Sequence, residues 1–200
     1  YIVTDAYLAT SRPEIYAIGD INGRFPFRHK ANYEAEILSR NLFGHGREKR
    51  KADYTRVPWA IFTHPQVAHV GLTEREALEK GLRVMVGVNR YSAVAAGFAM
   101  GYADGDPDDG FVKLIVDEST RILGAHVAGP HAAILIQAFV YLMNAGVGCR
   151  CMEEKPAPHL HDSIRSCLGG GLEPLNQSMV IHPALSEVAA WVIGNLEWRA

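Results

Sequence analysis

The chain has 200 residues, 48% hydrophobic and 21% charged, enough for one sizeable core and a smaller second piece, with no bias toward disorder. A formal net charge of -2, with both signs interspersed, excludes a basic field for nucleic acid or an anionic membrane surface, so a small molecule or another protein is the expected partner. Cys149, Cys151 and Cys167 are too few and too clustered for a disulfide framework, which favours a reducing compartment and makes the cytoplasm the default.

The chain opens at Tyr1 without a charged n-region or an apolar h-region, and this start reads as a cut within a longer protein. The first strand is expected in the β-branched and aromatic run Ile15-Tyr16-Ala17-Ile18-Gly19-Asp20, closed by Gly and Asp. Residues 30–43 place Ala31, Ala35, Leu38 and Leu42 at helical spacing and end at Gly44, a C-cap. Strand then helix marks the end of an α/β domain, and the polar, basic stretch 44–51 is the expected boundary, dividing the chain into residues 1–50 and 51–200.

From Val57 the pattern changes. Residues 59–63 and 67–72 predict short strands joined by a turn at His64-Pro65-Gln66. Thr73 and Glu76 supply a capping box for a helix that stops at Gly81. Residues 111–116 and 122–127 predict a hairpin around the polar turn 117–121. The apolar run 132–147 is interrupted by Gln137 and Asn144 and falls short of the roughly 20 residues that span a bilayer. It reads as a helix over 132–145, apolar on most sides and so needing burial on more than one side, either in the core or against a second subunit. In 148–178, Pro156, Pro158, Pro174 and Gly169-Gly170-Gly171 leave only a short helix near 162–167, and residues 183–196 are helical by pattern. Strands with interspersed helices and no βαβ alternation predict an α+β second domain.

The chemistry is expected in Ser178-Met179-Val180-Ile181-His182-Pro183-Ala184-Leu185-Ser186-Glu187, where an apolar run delivers a histidine immediately before proline. Pro183 bars its predecessor from helical geometry and is able to take a cis peptide, which would fix the direction of the imidazole. Glu187, in the first helical turn, can fold back onto one ring nitrogen and leave the other to accept a proton. Taken alone, so short a pattern more often describes a histidine at a helix end beside a surface glutamate.

Four motifs occur in one order: Tyr16-Ala17-Ile18-Gly19-Asp20; Phe62-Thr63-His64-Pro65-Gln66-Val67-Ala68-His69-Val70-Gly71-Leu72-Thr73-Glu74; Gly110-Phe111-Val112-Lys113-Leu114-Ile115-Val116 with Ile122-Leu123-Gly124-Ala125-His126; and His182-Pro183-Ala184-Leu185-Ser186-Glu187. Together they resemble the class I pyridine nucleotide-disulfide oxidoreductases, the family of dihydrolipoamide dehydrogenase, mercuric reductase, mycothione reductase and glutathione reductase. The first of these is the nearest in pattern. The resemblance covers nearly the whole chain except 148–178. It implies the C-terminal part of a homodimeric enzyme that uses FAD and NAD or NADP and exchanges electrons with a disulfide or a lipoyl-type dithiol.

The same resemblance implies that residues 1–50 are the last strand and helix of an FAD-binding α/β domain. There Asp20, after Gly19, would accept ribityl hydroxyls of the flavin, and Phe27, Arg28 and His29 would offer helix N-terminal amides to its pyrimidine edge. Residues 51–200 become the interface domain, an antiparallel sheet with helices. His182 and Glu187 become the acid-base pair serving the opposite subunit's redox disulfide, with Pro183 among the cofactor-binding residues.

Two hallmarks of the family are absent from these 200 residues, the Gly-x-Gly-x-x-Gly loop and the redox cysteine pair, and so is the nicotinamide-binding domain. Cys149-Arg150-Cys151 is no substitute, because cysteines one residue apart close a strained ring. The chain alone is therefore expected neither to retain FAD nor to turn over. His159 and His161, near Asp162 and Cys167, read as a polar loop rather than a metal site, since no second ligand pair completes them. Gly169-Gly170-Gly171 lacks the strand and the Lys-Ser/Thr of a phosphate loop. Two other readings stand beside the first: a dimerisation module without chemistry, and a mercuric or low-molecular-weight disulfide reductase. The lack of a C-terminal cysteine pair argues against the mercuric form.

Overall fold

The computed structural model describes residues 1–45, 48–145, 171–172, 174–175 and 178–199. The chain divides into two units, Tyr1–Val57 and Pro58–Ala200. The expected short helix near 162–167, the three cysteines, His159 and His161 lie outside the described residues.

In the first unit, helix α1 (Arg28–Phe43) begins two residues before the expected start and closes at Gly44, whose N–H donates to the Arg40 carbonyl. Its inward face carries Ile37, alongside Leu8 and Ala17 in the buried set, and also two charges, Lys30 and Glu34. The expected strand over residues 15–20 is reduced to an isolated bridge between Tyr16 and Ala9, followed by a 3-10 turn over Gly19–Asn22. Strand propensity becomes a strand only where a second segment supplies the ladder. Among the described residues of this unit, Ala9 alone bridges to this run. The segment around Ala52 returns to the same unit: the Ala52 N–H donates to the Ala6 carbonyl, and the Asp53 N–H to the Tyr33 hydroxyl.

The second unit is built on a six-stranded sheet in the order β1-β2-β5-β4-β3-β6, every pairing antiparallel. Its strands are β1 (Trp59–Ile61), β2 (Val67–Gly71), β3 (Val84–Arg90), β4 (Phe111–Asp117), β5 (Ile122–Ala128) and β6 (Glu197–Arg199). The β4/β5 hairpin forms as expected, while β3 and β6 were not anticipated. Alternation along the strands sorts side chains to two faces. Ala68, Val70, Val112, Leu114, Ala125 and Val127 face helix α4 (Ala132–Asn144) and form the main core with its Leu135, Ile136, Phe139 and Met143. On the opposite face helix α2 (Glu74–Glu79) covers a smaller cluster of Ala77, Val84, Val86 and Ile115. The Thr73/Glu76 capping box is present at the start of α2.

Helix α4 keeps Ile134 and Tyr141 exposed at 70% each, so its apolar surplus is not used up within this unit. No helix among the described residues is long and apolar enough to cross a membrane. A short helix α3 (Ala95–Ala99) lies in the β3–β4 connection, and the tail is helical again. It is less regular than its pattern suggests: helix α5 (Ser186–Ala190) passes into a 3-10 helix over Trp191–Asn195 before β6.

Candidate active site

His182 precedes α5 on a segment that lies outside the sheet, with Met179 fully exposed and Ile181 77% exposed. The His182–Pro183 peptide is cis, as is His64–Pro65. Glu187 sits in the first turn of α5 with no exposed surface. Its Oε1 lies 2.7 Å from His182 Nδ1, and its Oε2 accepts the Ala184 N–H at 3.2 Å. One oxygen is thus spent on holding the turn that brings the other to the ring. The histidine itself is 64% exposed by side chain, so a buried carboxylate orients an imidazole that faces outward. With Nδ1 engaged, Nε2 is the nitrogen left to exchange a proton with a molecule outside this unit.

Burying an anion is costly unless its oxygens are bonded, and the helix that carries it must be held in place. Three contacts tie that helix and the 3-10 helix that follows it to β3. The Asn89 amide, itself buried, donates to the Val188 carbonyl at 3.1 Å, and the Asn195 amide donates to the Val88 carbonyl at 2.7 Å. Gly87 lets the backbones close in, because a Cβ there would stand 2.6 Å from the Val192 carbonyl oxygen. Val188, Ala189 and Val192 complete the anchorage inside the main core. Sequence reasoning missed Gly87, Asn89 and Asn195. Asn89 meets Val188 across 99 residues of chain, so no local spacing reveals it.

In the first unit the expected cofactor residues gather at two adjoining places. Gly19 and Asp20 open the 3-10 turn, with Asp20 exposed, and Phe27, Arg28 and His29 form the entry to α1. Phe27 caps α1 without a side-chain hydrogen bond, and no acidic residue occupies its first turn, leaving that end suited to an acceptor edge. The Phe27 and His29 rings stack at 5.2 Å, and Arg28 Nε donates to Asn32 Oδ1.

The turn and the helix are clamped together by a buried network that sequence reasoning also missed. Gly19, at φ 75°, donates its N–H to Glu34 Oε2 at 2.6 Å. The Asn22 amide and the Tyr54 hydroxyl both donate to Glu34 Oε1, at 2.8 and 2.6 Å. Lys30 Nζ donates to the Gly19 carbonyl and to Asn22 Oδ1, each at 2.9 Å, and pairs with Glu34 Oε2 at 3.3 Å. The face expected from periodicity, Ala31, Ala35, Leu38 and Leu42, is not the one that turns inward: Ala35 and Leu42 are exposed, while Lys30, Glu34 and Ile37 are buried, so the pattern hid the clamp.

Burial pushes the Glu34 carboxyl upward, but the donors Tyr54, Gly19, Asn22 and Lys30 outweigh it and hold the group below its ordinary value. Burial first, then Glu34, pushes the Tyr54 hydroxyl up to about 12. For a carboxylate depressed in the folded state, the stabilisation is present above the unfolded value and is lost as pH falls through the folded one. Acidification below the ordinary glutamate value of about 4.5 is therefore expected to loosen this clamp. The protection factor of the Gly19 amide, followed by NMR hydrogen exchange from pH 6 to 3, should fall, and Glu34→Gln should flatten that dependence. An exchange rate that follows only the intrinsic pH trend would remove the clamp from the account.

Residues 57–165 match the family model described as pyridine nucleotide-disulphide oxidoreductase, dimerisation domain. The chain is 38% identical over 150 residues to a mycothione reductase of Mycobacterium tuberculosis, covering 73% of this chain and 32% of that one. It is 40% identical over 164 residues to a dihydrolipoyl dehydrogenase of Chlamydia trachomatis, covering 82% and 33%. Among solved structures it is similar to the HOCl-induced flavoprotein disulfide reductase RclA from Escherichia coli, with a TM-score of 0.74 and 25% identity over 96% of this chain and 38% of that one. The chain spans about a third of the length of the curated relatives it matches.

Proposed function

Because the chain belongs to the pyridine nucleotide-disulphide oxidoreductases, whose dimerisation domain it carries, we propose that it is the subunit-pairing part of an FAD- and NAD(P)-dependent disulfide or dithiol oxidoreductase. In this reading it lends His182 to the active site of the partner subunit. The supporting observation is the His182–Glu187 pair, a fully buried carboxylate 2.7 Å from the ring of an outward-facing imidazole. Relatives named mycothione reductase and dihydrolipoyl dehydrogenase favour a small disulfide or a lipoyl-type dithiol as the substrate class.

A substrate thiol would give its proton to His182 Nε2 as its sulfur attacks a redox disulfide supplied by residues outside this chain, so that the S–S bond breaks, a mixed disulfide forms and the other cysteine leaves as a thiolate. Glu187 Oε1 accepts the Nδ1–H, keeps the ring in one direction and stabilises the imidazolium. In the reverse direction the imidazolium returns the proton to the departing thiolate. Bound FAD would relay two electrons between that disulfide and the nicotinamide. Within this chain, Asp20, Gly19 and the Phe27-Arg28-His29 helix entry would hold its ribityl chain and acceptor edge, and Pro183, next to the acid-base histidine, would reach the partner's cofactor with it. The pyrophosphate loop and the cysteine pair are not among these residues, so the chain alone neither retains FAD nor turns over.

Pairing is supported by the apolar surface that the second unit leaves uncovered, with Phe62, Phe98, Ile134, Tyr141, Met179 and Ile181 all at least 70% exposed. Light scattering at micromolar concentration is expected to give the mass of two chains. A monomer under those conditions would remove the shared active site.

A further inference from the structure

Asn89 is a polar residue in an apolar place. It is 5% exposed on β3, the strand that also buries Val84 and Val86, and an amide in such surroundings costs free energy unless both of its ends are bonded. Here Oδ1 accepts the Arg90 N–H at 3.1 Å, and Nδ2 donates to the Val188 carbonyl of α5 at 3.1 Å. An N–H on one side and a carbonyl on the other fix the amide's orientation, so its donor faces the helix. The chain just past the strand is held as well: the buried Asp109 carboxylate accepts the Ser92 N–H at 3.0 Å and the Ser92 hydroxyl at 2.6 Å.

Helix α5 needs such a hold. It has five residues, too few to stand without tertiary support, and Leu185 at its N-cap supplies no side-chain hydrogen bond. Val188, Ala189 and Val192 bury the tail through apolar contacts, which are non-directional. Among the described residues, the Asn89 donor is the one hydrogen bond that reaches an α5 backbone group from outside the tail, and it grips the residue next to Glu187.

We propose that Asn89 is a positioning residue for the acid-base pair: through the Val188 carbonyl it holds α5 where Glu187 Oε1 meets His182 Nδ1, and so keeps the neutral imidazole protonated on Nδ1 with Nε2 free to accept. The assignment rests on the reading of His182 as the proton acceptor. A neutral imidazole carries one proton, and the hydrogen bonds of the ring decide which nitrogen has it. At 2.7 Å the carboxylate keeps that proton on Nδ1. His182 is 64% exposed by side chain, so water competes as soon as the carboxylate draws back. The ring then drifts toward the Nε2–H form, whose outward nitrogen is a donor and takes no proton from a thiol.

Asn89→Asp keeps the acceptor for the Arg90 N–H and removes the donor, whereas Asn89→Leu removes both and suits the apolar surroundings, so the test survives if the charged variant does not fold. Long-range proton–nitrogen correlation spectra of the 200-residue chain in alkaline buffer should show His182 mainly as the Nδ1–H tautomer. In both Asn89 variants that tautomer should lose ground to Nε2–H by at least about threefold. Ile115→Val, a truncation in the smaller cluster on the sheet face away from α4, should leave the tautomer as in the parent and so separates a lost hold on α5 from general loosening. Parent-like His182 spectra in folded Asn89 variants would overturn the proposal. In the intact flavoenzyme the same variants should lose about tenfold in kcat, with the flavin bound and the KM for a reduced lipoyl-type dithiol unchanged. Parent kcat in both, beside a slowed His182→Ala, would overturn the positioning role and spare the acid-base reading. Unchanged turnover in His182→Ala would overturn that reading and this role with it.

Discussion

His182→Ala is expected to slow dithiol oxidation by about 10²- to 10⁴-fold in the intact flavoenzyme, with the flavin still bound, because it removes the only group proposed to move the thiol proton. The variant leaves the backbone turn and the Glu187–Ala184 contact in place, so folding is not the quantity under test. Glu187→Gln should act more mildly on proton transfer but in the same direction. An amide can still meet the ring yet no longer stabilises the imidazolium. It also places an NH₂ donor where the Ala184 N–H and the histidine N–H both need an acceptor. Turnover measured with a reduced lipoyl-type dithiol, alongside the flavin absorbance, separates loss of chemistry from loss of cofactor. Unchanged turnover in His182→Ala would end the acid-base assignment while leaving family membership untouched.

Phe139→Ala should cost about 3–5 kcal/mol of stability, the largest loss expected from a single core truncation. Phe139 is fully buried on α4 and belongs to the cluster in which β2, β4 and β5 meet the helix and the tail that carries Glu187. Its removal leaves a cavity that the hydrogen-bonded sheet below cannot close. Trp59, Trp191 and Trp198 all belong to the second unit, so urea unfolding followed by tryptophan fluorescence reports on that unit alone. Ile134→Ala, on the exposed side of the same helix, should leave the urea midpoint of the unpaired chain nearly unmoved and instead weaken pairing. A Phe139 variant as stable as its parent would mean that α4 is held by something other than this core.

The helix over α1, the β1/β2 and β4/β5 strands, the capping box of α2 and the burial of α4 were all legible in periodicity and turn chemistry. These are signals that a dozen residues carry by themselves. The strand expected over residues 15–20 was legible as propensity only, and without a pairing partner it became a turn. Strand β3 escaped notice although Val84, Val86 and Asn89 are buried, because it is inward-facing on both sides and Gly87 interrupts its alternation.

By itself the sequence determined the residue types available for chemistry, His182 with a carboxylate five residues on, and the order of motifs that made the pair worth noticing. Only the tertiary structure decided that Glu187 is buried with both oxygens bonded, that His182 faces outward, and that β3 holds the helix carrying Glu187 and the 3-10 helix after it through Asn89, Asn195 and Gly87. The same holds for Glu34 under Gly19. Local patterns encode which face of an element is apolar. Which distant polar group meets a buried charge depends on packing between segments up to about a hundred residues apart, and desolvation makes that meeting decisive.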